Sequence, residues 1–181
     1  LGLLATFSVN ILVAFLQQLL LRAGVISPVT SGGLIPDYLR NMSSVQVWIE
    51  IVLLAPLFEE TAFRGILQTD TRTFRLSLSM ATYLLLCKCF GLNFYQLTTR
   101  TAFVSVLAAC VSVFPIHVPM HYLVRRSILA FSLISFAFWH YDNFDFHDAN
   151  LLTIGICLLP FFINGAILSY FAIRYGLKWS I

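Results

Sequence analysis

Three ionisable side chains interrupt an apolar run. The segment reads Ile51-Val52-Leu53-Leu54-Ala55-Pro56-Leu57-Phe58-Glu59-Glu60-Thr61-Ala62-Phe63-Arg64-Gly65. A charge placed at the centre of a bilayer costs ~2.5–3.5 kcal/mol on insertion scales, so intramembrane acids usually have a task. Glu60 and Arg64 are four apart and share one helical face, with Glu N-terminal to Arg, the favourable order. That pair neutralises itself. Glu59 lies ~100° further round the helix, and the same helix offers it no cation one turn away in either direction. It must face another element. A carboxylate so placed can take a proton from water.

A second segment, Ser135-Phe136-Ala137-Phe138-Trp139-His140-Tyr141, supplies an imidazole. Phe136 and His140 are i and i+4 on a helix and share a face. A carboxylate and an imidazole together can hold and deprotonate a water, which opens the way to general-base hydrolysis. Both groups also ligate metals, although two ligands are too few for a complete site. His117 and His121 have H-x-x-x-H spacing, but Pro119 disturbs the helix that would align them. No Glu follows His117 to complete an H-E-x-x-H motif. His147, between Asp145 and Asp148, reads as part of a solvated turn.

The elements that position these groups are apolar helices. Of 181 residues, 59% are hydrophobic and 10% charged, against ~25% charged in a soluble domain. Runs long enough to span a bilayer, ~20 residues each, recur at about Leu3–Leu21, Val45–Leu67, Leu76–Leu92, Thr101–Leu123, Ser127–Tyr141 and Leu151–Ile173. The third is interrupted by Lys88, and Pro115 and Pro119 kink the end of the fourth. A Gly/Pro/Ser-rich loop or interfacial segment occupies Gly24 to Ser44. The expected architecture is all-α: one polytopic transmembrane bundle of about six spans over 1–181.

Lys and Arg in excess mark the cytoplasmic side of a membrane protein. One set of connections collects Arg72, Arg75, Arg125, Arg126, Arg174 and Lys178; the other collects Arg22, Arg40, Arg100 and the acidic loop Asp142, Asp145, Asp148. The first set is therefore expected to face the cytoplasm. The net charge of +3 comes without a Lys/Arg run, which argues against a nucleic-acid partner. Cys87, Cys89, Cys110 and Cys157 lie in apolar segments and read as small buried hydrophobes, not as a disulfide or metal framework. The chain opens Leu1-Gly2-Leu3 with no Met, so a true start upstream is expected.

Glu59-Glu60-Thr61-Ala62-Phe63-Arg64, preceded by Ala55-Pro56 and followed by Gly65, resembles the E-E-x-x-x-R motif of the CPBP intramembrane proteases. That group includes the CAAX prenyl endopeptidases and bacteriocin-processing or immunity proteins. Phe136 to His140 resembles the family's second motif, F-x-x-x-H. Gly165 through Trp179 looks like the stretch before its third, H-x-x-x-N/D, which would follow Ile181. The resemblance covers about 45–181, and Lys178-Trp179-Ser180-Ile181 looks like the opening of that last motif-bearing helix. Between Arg64 and His140 there is room for an extra helix pair, roughly Leu76–Leu123.

The resemblance implies a membrane-embedded endopeptidase acting on a membrane-associated peptide or a prenylated protein, in a bacterial inner membrane. Glu59 and His140 would activate the attacking water. Glu60, Arg64 and Phe136 would support the site. The His and Asn of the third motif would donate to the oxyanion. Metal dependence stays open: the same groups work with a divalent ion such as zinc or with none. Two other readings stand beside it. One is a non-catalytic scaffold of the same fold within a membrane protein assembly. The other is a small transporter using Glu59 and Glu60, for which the expected internal repeat is absent from the sequence.

Overall fold

A computed structural model describes residues 2–29, 42–114, 118 and 121–179. Every regular element among them is helical. Helix α1 spans Gly2–Arg22, close to the first expected run. The second run begins with a short helix, α2, at Ser44–Trp48. Ser43 caps it: its hydroxyl accepts from the Gln46 N–H while the Gln46 side chain accepts from the Ser43 N–H. A π-helical stretch, Ile49–Leu54, follows, and then α3 at Ala55–Gly65. The π stretch has a local cause. Pro56 has no N–H, and its ring crowds the carbonyl four residues back. The Ala55 N–H reaches instead to the Glu50 carbonyl, five residues back. Such widened turns often sit beside functional positions, and this one ends five residues before Glu59.

Helix α4 spans Thr71–Cys89, starting earlier than the expected Leu76. Asp70 sets the start, accepting from the backbone N–H groups of Arg72 (3.0 Å) and Thr73 (3.1 Å). The helix closes at Gly91, whose φ of 60° suits a residue without Cβ. Helix α5, Thr99–Val113, is opened by a reciprocal Thr98/Thr101 box. It ends ten residues short of the expected Leu123. Phe114 precedes Pro115 and is therefore pushed out of helical geometry; its ψ is 143°. At 15 residues α5 is about 22 Å long, less than the ~30 Å of a bilayer core. Pro115, His117 and Pro119 lie outside the described residues, as does Arg40 and most of the Gly24 to Ser44 segment. Helix α6 spans Tyr122–Trp139, starting earlier than the expected Ser127, and runs into a 3-10 turn at Tyr141–Asn143. Helix α7 spans Leu151–Tyr175 and contains Pro160. It stops at Gly176, where φ is 96°, the left-handed conformation that ends helices. A 3-10 turn, Leu177–Trp179, follows.

Two compact units divide the chain, one within 1–42 and 133–170, the other within 43–132 and 171–181. In the first, α1 meets α7 through polar groups. Pro160 cannot donate to the Ile156 carbonyl, its helical acceptor. The Gln17 side-chain amide donates to that carbonyl at 3.0 Å. The Asn164 amide donates to the Asn10 side chain at 2.9 Å. Asn150 caps α7 by accepting from the Thr153 N–H at 2.8 Å.

In the second unit, the C-terminal end of α3 is the centre. Ile66, Leu67 and Phe74 form an apolar core with Leu78, Ile128 and Leu129 packed against it. Gly65 lets α4 approach: a Cβ there would lie 2.8 Å from the Ser77 Cβ, nearer than two packed carbons tolerate. The last turn of α3 is tightened, with the Leu67 N–H bonded to the Arg64 carbonyl. The Phe63 carbonyl is left for the Ser132 hydroxyl of α6, which donates to it. Arg125 donates to the Leu67 carbonyl at 3.0 Å, and the Gln68 amide donates to the Ala172 carbonyl at 3.0 Å.

Beside the apolar core, several polar side chains are buried and many large apolar ones are exposed. Arg64, Ser77, Ser132 and Thr153 are fully buried, while Phe7, Leu12, Phe15, Phe103 and Val106 are more than 60% exposed. Two helical segments among the described residues, Tyr122–Asn143 and Leu151–Tyr175, are long and apolar enough to cross a membrane, and α1 and α5 contain shorter apolar stretches.

Candidate functional site

The second unit holds Glu59, Glu60 and Arg64 on α3. The expected pair forms. The Arg64 Nε lies 3.3 Å from a Glu60 carboxylate oxygen, with the guanidinium wholly buried and the carboxylate almost so. The helical turn sets their spacing, and burial sharpens it. Two charges so far from water attract strongly, and each would be costly to keep without the other. Glu59, one position back, is only half-buried. The two carboxylates thus differ in burial: Glu60 is enclosed with Arg64, and Glu59 lies on a more open side of the helix. Gly65, directly after the motif, holds α4 against this turn.

The first unit holds Phe136 and His140. They share a face as expected, with ring centroids 4.9 Å apart in an edge-to-face arrangement. Phe161 of α7 stacks on the other side of the imidazole at 4.2 Å and 20°. His140 is the residue where α6 hands over to the 3-10 turn, and the Asn143 N–H bonds its carbonyl. That turn brings the Asn143 side-chain amide to 3.1 Å from the His140 Nδ1. The contact couples to the tautomer. The amide nitrogen faces Nδ1, so Asn143 donates and the ring proton sits on Nε2, which can donate to a water. Neither Phe161 nor Asn143 was singled out from sequence. Asn143 was within reach, since it follows His140 by three residues; Phe161 was not, because only the packing of α6 on α7 brings it close.

The remaining candidates fall where their sequence context put them, or outside view. His147 is exposed and bonds its neighbour Asp148 through Nδ1 at 3.0 Å, while its backbone N–H bonds Asp145; this is a solvated turn. His121 is exposed just before α6, and His117 is outside the described residues. Cys87 and Cys157 are buried as expected. Cys89 and Cys110 are instead exposed, because they lie on the outward faces of α4 and α5. No group of three or more His, Cys, Asp or Glu side chains gathers among the described residues. No family model, curated protein or solved structure matches the chain.

Proposed function

We propose that the chain is a polytopic membrane bundle of about six spans that works as an intramembrane endopeptidase of the CPBP type. A bacterial inner membrane is its setting, with a membrane-associated peptide or prenylated protein as substrate. The observation that carries the reading is the buried Glu60–Arg64 pair beside a half-buried Glu59. One carboxylate of the E-E-x-x-x-R pattern is almost wholly buried against Arg64; its neighbour is the more exposed and is the one this reading assigns to chemistry. The many exposed Phe and Leu side chains support the membrane setting, because soluble monomers rarely expose large apolar patches.

In this reading the Glu59 carboxylate takes a proton from a water molecule as its oxygen attacks the peptide carbonyl. The proton then passes to the departing amine. The family resemblance assigns His140, gripped between Phe136 and Phe161, a part in water activation. With Nδ1 accepting from the Asn143 amide nitrogen, Nε2 carries the ring proton and can donate it to a water oxygen.

Glu59→Gln tests the proposal. Gln keeps the shape but cannot act as a base, so peptide cleavage by the purified variant should fall to background with an unchanged melting point. Undiminished turnover would sink the assignment. The buried ion pair also suits a non-catalytic scaffold within a membrane assembly. That reading gains if the wild-type protein cleaves no membrane-associated peptide, while Arg64→Ala disrupts the assembly and Glu59→Gln does not.

A further inference from the structure

A cavity of about 280 Å³ lies within the second unit, at the end where α3 and α7 finish and α4 and α6 begin. Its walls are apolar: Leu67, Phe74, Ile128 and Leu129. Its rim carries two guanidinium groups, Arg125 and Arg126. Arg125 uses one of its N–H groups on the Leu67 carbonyl, and Arg126 lies 4.4 Å over the Tyr122 ring. Neither has an acidic partner among the described residues.

The position of these arginines is electrostatically unfavourable by itself. Both fall within the first five residues of α6, at the positive end of its dipole, and the first turn contains no acid. The start of α4 solves the same difficulty with Asp70 beside Arg72; α6 has no counterpart. An anion at the rim would satisfy both guanidinium groups and the helix end together. The apolar cavity directly below calls for a hydrocarbon. At about 280 Å³ it is just under the ~300–1,000 Å³ of pockets that enclose a drug-sized ligand, so it fits a segment of chain.

We propose that this cavity is a binding site for an anionic phospholipid, with its phosphate on Arg125 and Arg126 and part of one acyl chain between α3, α4 and α6. Basic pockets between membrane helices on the cytoplasmic side commonly hold such head groups. The site rests on the membrane setting alone and is independent of any peptidase chemistry.

The test is lipid retention by the full-length chain, purified in detergent and offered equal amounts of phosphatidylglycerol and phosphatidylcholine, with bound lipid counted by native mass spectrometry. The wild type should retain phosphatidylglycerol preferentially. Arg126→Gln, at an exposed position that should not disturb folding, should weaken retention about fivefold. Arg126→Lys should largely keep it, and Arg125→Gln with Arg126→Gln should abolish the preference. Ile128→Trp, which fills the cavity, should reduce phosphatidylglycerol without converting the preference to phosphatidylcholine. Equal retention of the two lipids by the wild type would overturn the proposal. So would a loss that follows Arg100→Gln, in the wider cavity beside Phe103, and not Arg126→Gln. If glycerol phosphate displaces phosphatidylglycerol as well as a second phosphatidylglycerol does, the site recognises phosphate alone and the lipid assignment fails.

Discussion

Gln17 and Pro160 should behave as one structural unit. Pro160 sits inside α7 and removes the donor that the Ile156 carbonyl would have used. The Gln17 amide, from α1, replaces it at 3.0 Å. In the proposed membrane setting no water would stand ready to take over, so Gln17→Leu should strand a partly buried carbonyl. An unsatisfied buried acceptor costs ~1–3 kcal/mol, and interhelical hydrogen bonds in membranes average ~0.6. This acceptor has lost its own helical donor, so it should fall between those figures, at about 1–2 kcal/mol. For a chain of this size that is a fall of about 2–8 °C in melting point.

The decisive comparison repeats the change in a Pro160→Ala background. Ala returns an N–H to position 160, and the Ile156 carbonyl no longer depends on α1. Gln17→Leu should then cost under ~0.5 kcal/mol, a coupling of about 1 kcal/mol between sites on different helices. Thermal unfolding of the four proteins in one detergent measures it. Equal costs of Gln17→Leu with and without Pro160 would refute the reasoning, because the bond would then be incidental to the proline.

Arg64→Ala should be the more damaging change in α3, since it leaves the Glu60 carboxylate buried without its cation, at about 3–5 kcal/mol; a melting point equal to wild type would mean the pair contributes nothing. Gly65→Ala should destabilise by about 1–3 kcal/mol through collision with Ser77, and Ser77→Gly should rescue it. A gain in stability, the usual result of Gly→Ala inside a helix, would contradict the close approach of α3 and α4. Asp70 should make the start of α4 sensitive to acid. Hydrogen bonding to Thr73, together with the backbone N–H groups of Arg72 and Thr73, holds its carboxyl below the ordinary value. A depressed folded value means the contribution is complete above the unfolded pKa of about 3.9 and is lost as pH falls through the lower folded value. Amide exchange at Thr73 and Phe74 should therefore quicken in acid for the wild type, relative to an Asp70→Asn variant. Parallel profiles for the two proteins would count against the cap.

The parts of this protein that the sequence settled are those in which cause and effect lie within about one helical turn. The Glu60–Arg64 pair and the shared face of Phe136 and His140 follow from 3.6-residue periodicity, and the structure contains both. The early start of α4 and the early end of α5 were also local matters, written in Asp70 and in the Phe114-Pro115 step. Apolarity alone could not place those ends, because a run of hydrophobic residues says how much chain favours lipid and not which side chain caps it. Tertiary structure decided what spacing cannot express. Pro56 and Pro160 each remove a donor at a position visible in the sequence. For Pro56 the remedy is local, a π turn; for Pro160 it is a glutamine from another helix. The same holds for Phe161 on His140, Ser132 on the Phe63 carbonyl and the cavity beneath Arg125 and Arg126. Each joins residues far apart in the chain, and their meeting depends on how whole helices pack, which no local pattern encodes.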